Sequence, residues 1–139
     1  MTPVGVAAII ARMHEQDLAI VKGLVAVSWA DGRIAREERT VLDALLEAYG
    51  ASPSEQREVN RFAETERSID DVPLTDLSHD DRRVLLQHAV LIAHVDGALH
   101  DKEAKLLDDL CERLRIPELE ARGIIEAAAR RARKLGELL

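Results

Sequence analysis

The sequence is poor in aromatic residues and has no excess of positive charge. Aromatic side chains make up 2% of the 139 residues, as one Trp, one Tyr and one Phe. This scarcity argues against RNA recognition by stacking of bases on aromatic rings. The formal net charge of −7 argues against a general phosphate-backbone binder, because such proteins present a basic surface. Nucleic acid is therefore not an expected partner.

The sequence also lacks a second cysteine and a long apolar run. The most apolar stretch, residues 18–30, is interrupted by Lys22 and is too short to span a bilayer. The N-terminus lacks a basic region followed by a long apolar run, so we predict no signal peptide. The lone Cys111 cannot form an internal disulfide, which fits a reducing compartment. Since Cys111 lies at helical spacing from Leu107 and Leu114, we expect a core residue and not a reactive thiol.

Alanine and leucine are abundant and together account for 39 of the 139 residues. Both residues favour helices, and no segment alternates convincingly between apolar and polar residues as a half-buried strand would. The apolar fraction of 47% and the chain length suffice for one folded domain over residues 1–139. The sequence therefore predicts an all-α fold in a single domain.

Apolar periodicity and capping residues predict about seven helices in this domain. They are a short helix that begins at Thr2-Pro3 and helices over residues 15–30, 36–49, 53–64, 79–95, 101–114 and 118–134. The second and the fifth of these are apolar nearly all round, so we expect them to pack together as two central buried helices. The acid-rich residues 64–81 between the halves are predicted to form an ordered, solvated loop.

Two segments of the chain resemble each other. Both contain Asp-Gly-x-(Ile/Leu)-x-x-x-Glu, first at residues 31–38 and again at residues 96–103. We call the separation between position 31 and position 96 the repeat offset. Flanking apolar positions keep the repeat offset, namely Val21 with Leu86, Leu42 with Leu107, Leu45 with Leu110, Leu46 with Cys111 and Tyr49 with Leu114. We therefore predict an internal duplication, with halves at about 15–50 and 80–115 related by a pseudo-two-fold axis in a helical bundle.

The acids of the two motifs have the spacing of the second half of an EF-hand loop. The first ligand positions of such a loop would fall on Val27 and Trp29 in one motif and on Ile92 and His94 in the other, so a true EF-hand is rejected. A weaker site for a divalent cation (Ca²⁺, Mg²⁺ or Zn²⁺) remains, completed by water or by both loops together. The candidate metal ligands are Asp31, Glu38, Asp96 and Glu103.

A purely structural role for these acids is the alternative. Asp31 and Asp96 can accept backbone hydrogen bonds in turns, and Glu38 and Glu103 lie where the helix dipole favours an anion. The residues three positions before the two Glu residues are an Ala and a His, which are poor N-caps. An ordinary capping box therefore does not explain the two Glu residues, and this favours the cation site.

The paired motif, Trp29-Ala30-Asp31-Gly32 to Glu38 and His94-Val95-Asp96-Gly97 to Glu103, resembles the TerB-like family over about residues 16–134. The resemblance implies a compact all-helical domain of about seven helices in two similar halves. It also implies a cytoplasmic tellurite-resistance or stress-response module, near the inner membrane, whose acids chelate metal. The family includes tellurite-resistance TerB proteins and the N-terminal domain of the membrane-linked co-chaperone DjlA. Because residues 79–81 are His-Asp-Asp and not His-Pro-Asp, we expect no J domain.

Other chemistry finds less support in the sequence. His94 and His100 flank Asp96 as zinc or nickel ligands would, but the first motif has no equivalent, which favours incidental histidines. The basic C-terminal helix could lie on an anionic membrane, although its apolar face is needed by the bundle. No enzyme signature is present, and a metal-assisted hydrolase is the weakest of the functional alternatives.

The sequence thus leaves two main functional hypotheses open. The first is a non-enzymatic module of tellurite, metal or stress resistance that binds a divalent cation through its duplicated loops. The second is a protein–protein interaction or scaffold domain in which the acidic loops are purely structural. The expected partners are an unidentified protein, free or membrane-associated, and a second copy of the chain as a homodimer.

Overall fold

The computed structural model describes residues 15–29, 32–94 and 101–138, with the backbone alone for residues 101–103 and 135–138. Within these ranges every regular element is helical and no strand occurs, so the all-α prediction is confirmed. The described α-helices are α1 (Glu15–Ser28), α2 (Arg36–Ala48), α3 (Pro53–Ala63), α4 (His79–Ala93), α5 (Asp101–Leu114) and α6 (Glu118–Leu138). The predicted helix that begins at Thr2-Pro3 lies outside the described residues.

Helices α1 and α4 pack against each other at the centre of the described bundle. In α1, residues 19–21 and 23–28 are all buried, as expected of a helix that is apolar around most of its circumference. Helix α1 also contacts α2 and α3, and α4 also contacts α5 and α6. The described chain therefore consists of an N-terminal unit (α1–α3) and a C-terminal unit (α4–α6) that meet through their first helices.

Reciprocal hydrogen bonds at capping boxes define where α3 and α4 begin. The Ser52 hydroxyl accepts from the Glu55 N–H at 3.2 Å, and the Glu55 carboxylate accepts from the Ser52 N–H at 2.9 Å. Ser78 and Asp81 make the same pair of bonds, at 3.1 and 3.0 Å, before α4. These bonds satisfy N–H groups that have no partner within the helix, so local sequence alone determines both starting points.

The turns that follow α2 and α5 share one hydrogen-bond pattern and are separated by the repeat offset. After α2, Gly50 is left-handed (φ 74°) and the Ala51 N–H donates to the Leu46 carbonyl at 2.9 Å. After α5, Arg115 is left-handed (φ 57°) and the Ile116 N–H donates to the Cys111 carbonyl at 3.2 Å. Both are Schellman-type ends. The next helices, α3 and α6, begin at positions 53 and 118 and so keep the same offset.

The helix bounds follow the sequence prediction closely. The predicted bounds of α5 are correct, α2 and α3 end one residue before the predicted ends at 49 and 64, and α1 and α4 end two residues before theirs at 30 and 95. Helix α6 continues to Leu138, beyond the predicted end near residue 134. Residues 135–138 contain no proline, and Gly136 lowers helix propensity without ending the helix.

The connector between the two units is ordered and takes part in the core. It forms two short 3₁₀ helices, Ile69–Asp71 and Leu74–Asp76. Its Val72 and Leu77 side chains are buried, with 1% and 4% exposure. The Arg113 guanidinium of α5 donates to the Val72 carbonyl at 3.2 Å. An acid-rich surface loop is therefore held in place by two apolar anchors and an arginine.

Candidate functional site

Among the four predicted metal ligands, Glu38 is the only one whose side chain falls in the described part of the chain. It lies in the first turn of α2, and its Oε1 accepts from the Ala35 N–H at 2.9 Å. This bond is one half of a capping box, which needs only the backbone N–H of residue 35 and not a capping side chain. The expectation that capping does not explain Glu38 was therefore wrong, since Ala35 supplies the donor that its side chain could not.

The other three candidate ligands are not placed by the described structure. Asp31 and Asp96 lie outside the described residues, and Glu103 lies in the first turn of α5 with only its backbone described. Beside Asp31, Gly32 has a left-handed backbone (φ 83°), and its N–H donates to the Trp29 carbonyl at 2.8 Å. Within the described residues, no group of three or more His, Cys, Asp or Glu side chains could hold a metal ion.

His94, the first histidine of the second motif, closes the end of α4. Its Nδ1 lies 2.9 Å from the Val90 carbonyl, and its backbone N–H donates to the same carbonyl at 3.2 Å. This is the position where a side chain can satisfy the last carbonyl groups of a helix. His94 therefore has a structural role, and His100 lies outside the described residues.

A groove of about 690 Å³ lies between α5 and α6, and sequence reasoning missed it; we call it the α5–α6 groove. Its floor is apolar and consists of Cys111, Ile116, Ala121 and Ile125. The first three of these are nearly inaccessible, at 9%, 7% and 4% exposure, and Ile125 is half-buried. The floor is thus continuous with the core but open to a ligand from above.

The rim of the α5–α6 groove is acidic. It carries Asp108, Glu112, Glu118 and Glu126, with Arg122 as its one cation. Arg122 is bound to Glu118, with Nη2 to Oε1 at 3.0 Å, in an exposed pair one helical turn apart. The rim therefore keeps a net negative charge around an apolar floor, an arrangement that suits a ligand with an apolar body and positive ends.

The Cys111 thiol on the groove floor is a buried core group, as the sequence predicts. Burial, together with the nearby Asp108 carboxylate, raises the pKa of Cys111 to about 11. The thiol is therefore neutral at pH 7, and a neutral thiol is neither a nucleophile nor a good metal ligand. This residue gives the groove apolar surface and no covalent chemistry.

A tyrosine–histidine pair joins α4 to the end of α2. The Tyr49 hydroxyl lies 3.3 Å from His88 Nε2. Burial lowers the pKa of His88. Burial also raises the pKa of Tyr49, with smaller contributions from the charges of Asp17 and Asp81. Both rings are thus neutral at pH 7 and link the two units by a neutral hydrogen bond, which sequence spacing alone did not reveal.

Over the described residues, none of the helices has the length and hydrophobicity of a membrane-spanning segment.

The family of the chain follows from comparison with known proteins. No curated protein and no solved structure gives a significant match to the chain. The family model described as tellurite resistance protein TerB matches residues 17–126, which is most of the sequence and includes both Asp-Gly motifs. The chain therefore belongs to the TerB family.

Proposed function

We propose that this TerB-family chain is a non-enzymatic interaction module of a tellurite or metal-stress resistance system in the cytoplasm. In this proposal, the α5–α6 groove binds one amphipathic helix with basic residues from a partner protein. The observation that carries the proposal is the apolar floor of Cys111, Ile116, Ala121 and Ile125 inside an acidic rim.

Shape and charge both favour this occupant. Amphipathic helices dock by laying apolar side chains, spaced three or four residues apart, into a groove between two helices. Lys or Arg residues along the edges of such a helix would face Asp108, Glu112 and Glu126 on the rim. Complementary charge of this kind accelerates association and rejects acidic partners.

The matching position in the N-terminal unit supports a specific role for the groove. There, one repeat offset earlier in the chain, the side chains of Arg39 and Asn60 form a hydrogen bond between α2 and α3. Their counterparts in the C-terminal unit are Ala104 and Ile125, whose side chains cannot form this bond. The Ile125 side chain instead lines the apolar floor of the groove.

A designed Leu/Lys amphipathic helical peptide tests this function, with a Leu/Glu peptide of equal length as the control ligand. In an NMR titration, the Leu/Lys peptide should shift the amide resonances of residues that line the α5–α6 groove. The Leu/Glu peptide should not. Glu112→Lys should weaken this binding roughly tenfold, about the loss of one charge-assisted contact. Glu47→Lys, at the matching position of α2, should leave it unchanged. Equal loss in both variants, or no shift of groove amides, would contradict the proposal.

Binding of a divalent cation by Asp31, Glu38, Asp96 and Glu103 is the second candidate function. The observation that favours it is the left-handed Gly32 (φ 83°), the sharp turn expected directly after Asp31 in an EF-hand-like loop. The carboxylate of Glu38 is a suitable oxygen donor for Ca²⁺ or Mg²⁺, whereas its hydrogen bond to the Ala35 N–H favours the structural reading.

Thermal unfolding with added Ca²⁺, Mg²⁺, Mn²⁺ or Zn²⁺ tests the cation site. A cation bound to the native state alone raises stability by about 2.7 kcal/mol at one hundred times its dissociation constant. Asp31→Asn with Asp96→Asn should abolish the rise in Tm. Asp43→Asn with Asp108→Asn removes the same charge from another pair related by the repeat offset and should leave the rise intact. If no cation raises the Tm, the acidic loops are structural.

We also infer the finer architecture predicted from the sequence, an internal duplication about a pseudo-two-fold axis. Three features support it, because each keeps the repeat offset: the left-handed turns at Gly50 and Arg115, the first residues of α3 and α6, and the two Asp-Gly motifs. On this view each repeat includes a third helix and is longer than the predicted halves 15–50 and 80–115.

A further inference from the structure

A second concave surface, which we call the Phe62 pocket, lies beside α3 and shares no residue with the α5–α6 groove. It has a volume of about 500 Å³, within the range of small-ligand sites. Four of its lining residues are cations, namely Lys22, Arg57, Arg61 and Arg67. This local concentration of positive charge contrasts with the net charge of −7 of the whole chain.

Two of the four cations are held in place by the protein. The Arg67 guanidinium carbon lies 3.9 Å from the centroid of the Phe62 ring, and its Nε donates to the Phe62 carbonyl at 3.0 Å. Lys22 Nζ lies 3.1 Å from Glu58 Oε1 and 5.8 Å from the same ring. Both side chains are thus preorganised around Phe62, which lowers the entropy cost of binding a ligand.

The other two cations have no protein partner among the described residues. Arg57 and Arg61 are exposed and lie four residues apart, on the face of α3 that also carries Ser54. Glu58 is the only acid that lines the pocket, and its charge is offset by the bound Lys22. Three guanidinium groups therefore face one pocket without a compensating carboxylate.

We propose that the Phe62 pocket binds a phosphoryl group, with Arg57, Arg61 and Arg67 as its principal contacts. Guanidinium groups donate two parallel hydrogen bonds to phosphate oxygens, and a phosphoryl dianion has enough oxygens and charge to engage several arginines together. A single carboxylate has fewer oxygens and half the charge. Ser54 adds a hydroxyl in the first turn of α3, where the helix dipole also favours an anion.

The phosphoryl group could belong to a soluble molecule or to a lipid headgroup, and two binding assays distinguish these sources. The soluble probes are inorganic phosphate and pyrophosphate, followed by calorimetry and by the NMR shifts of α3 amides. The lipid probe is a phosphatidylcholine vesicle that contains phosphatidic acid, with phosphatidylglycerol at equal charge as the control, followed by flotation.

The decisive variant is Arg57→Gln with Arg61→Gln, and its matched control is Arg130→Gln with Arg131→Gln on α6. All four side chains lie at least partly exposed, so both variants should keep the melting curve of the original chain. The pocket variant should weaken binding by roughly tenfold or more, and the control should not, because each lost charge-assisted contact is worth a factor of about ten.

Each outcome decides the proposal. If the pocket variant weakens binding of phosphate or pyrophosphate, the proposal holds and the ligand is a soluble molecule. If it weakens only binding to phosphatidic acid vesicles, the proposal holds and the ligand is a lipid headgroup. Absence of binding in both assays overturns it. Equal loss in the two double variants also overturns it, because that result indicates attraction to any positive surface and not a site at α3.

Discussion

The N-terminal and C-terminal units have the same order of helices but treat the space between their second and third helices differently. In the N-terminal unit, Arg39 bonds to Asn60 across that space and also pairs with Asp43 at 3.4 Å. In the C-terminal unit the matching residues 104 and 125 are Ala and Ile, and Ile125 lines the α5–α6 groove. A polar side-chain hydrogen bond in one unit thus stands against an apolar pair of residues in the other.

The units also differ in where their charges lie. Arg61, Phe62 and Arg67 of the Phe62 pocket correspond, one repeat offset later, to Glu126 and two alanines. Glu126 in turn lies on the acidic rim of the α5–α6 groove. Cations are therefore concentrated beside α3, whereas acids are concentrated between α5 and α6. Two units with the same order of helices thus present concave surfaces of opposite charge.

The largest expected effect on stability concerns the contact between the two units. Gly23 of α1 packs under Leu85 of α4, and a Cβ at position 23 would lie 2.7 Å from Leu85 Cδ2. Leu85 is fully buried, so its side chain could move only if the core around it repacked. We expect Gly23→Val to lower the free energy of unfolding by about 3 kcal/mol through overpacking, as measured by urea denaturation.

Gly123→Val is the matched control for this substitution. Gly123 lies in α6, and among the described residues no side chain or neighbouring segment comes within 4 Å of a Cβ built there. Valine has a slightly higher helix propensity than glycine, so this variant should stay within about 0.5 kcal/mol of the original chain. If both variants lose the same stability, α1 and α4 are not closely packed at Gly23.

The second largest effect concerns Arg82 of α4, whose counterpart in α1 is Asp17. The Arg82 guanidinium donates to the carbonyls of Leu74, Leu77 and Leu114, at 3.1 to 3.2 Å. Arg82 thus ties both the connector and the end of α5 to α4. Arg82→Met should cost about 2–3 kcal/mol, since three carbonyls lose a charged donor.

Urea denaturation and amide hydrogen exchange measure the effect of Arg82→Met. Exchange should become faster in the connector, residues 64–78, before it does so in α1. Arg122→Met is the control, because Arg122 makes only an exposed pair with Glu118 and should change stability by less than about 0.5 kcal/mol. A connector that stays protected in Arg82→Met would show that Val72, Leu77 and the Arg113 hydrogen bonds suffice to hold it.

The left-handed turns after α2 and α5 can be tested by exchanging their residues, Gly50 and Arg115. Gly50 adopts φ 74° without strain, whereas Arg115 adopts φ 57° at the cost that a side chain imposes there. We expect Gly50→Arg to destabilise the chain and Arg115→Gly to stabilise it, each by about 1 kcal/mol. Thermal and urea unfolding measure both. A loss of stability in Arg115→Gly would indicate that the Arg115 side chain itself stabilises the turn.

Sequence reasoning was most successful where structure is determined locally. Ser52, Ser78 and Gly50 mark helix boundaries through hydrogen bonds and backbone conformations confined to a few residues. It was wrong about Glu38, because side-chain preferences at residue 35 ignore the backbone N–H that Glu38 accepts from. The Asp-Gly motifs as a metal site stay a prediction.

Neither concave surface could be predicted from sequence. The α5–α6 groove depends on the distance between two helices, which no periodicity determines, and its floor residues resemble ordinary core positions. The Phe62 pocket combines residues from α1, α3 and the connector. Arg57, Arg61 and Arg67 are close together in the sequence, whereas Lys22 reaches them only through the packing of α3 on α1.

A further predicted effect is a pH dependence that arises at His88, which corresponds to the non-titrating Gly23 in the N-terminal unit. Burial lowers the pKa of His88 below its usual value near 6.5, so the unfolded chain binds a proton more readily than the folded chain does. The contribution of His88 to the free energy of unfolding is therefore fully present above pH 6.5. It decreases as the pH falls from 6.5 toward the lower pKa of the folded state.

Urea denaturation between pH 7 and pH 5 should show this decrease, with a slope from His88 no steeper than about 1.4 kcal/mol per pH unit. His88→Gln should remove that slope, because glutamine does not titrate and can still bond to the Tyr49 hydroxyl, which lies 3.3 Å from His88 Nε2. His79→Gln, an exposed position at the start of α4, should retain it. If His79→Gln and not His88→Gln flattens the profile, the buried contact between the two units is not the source of the pH dependence.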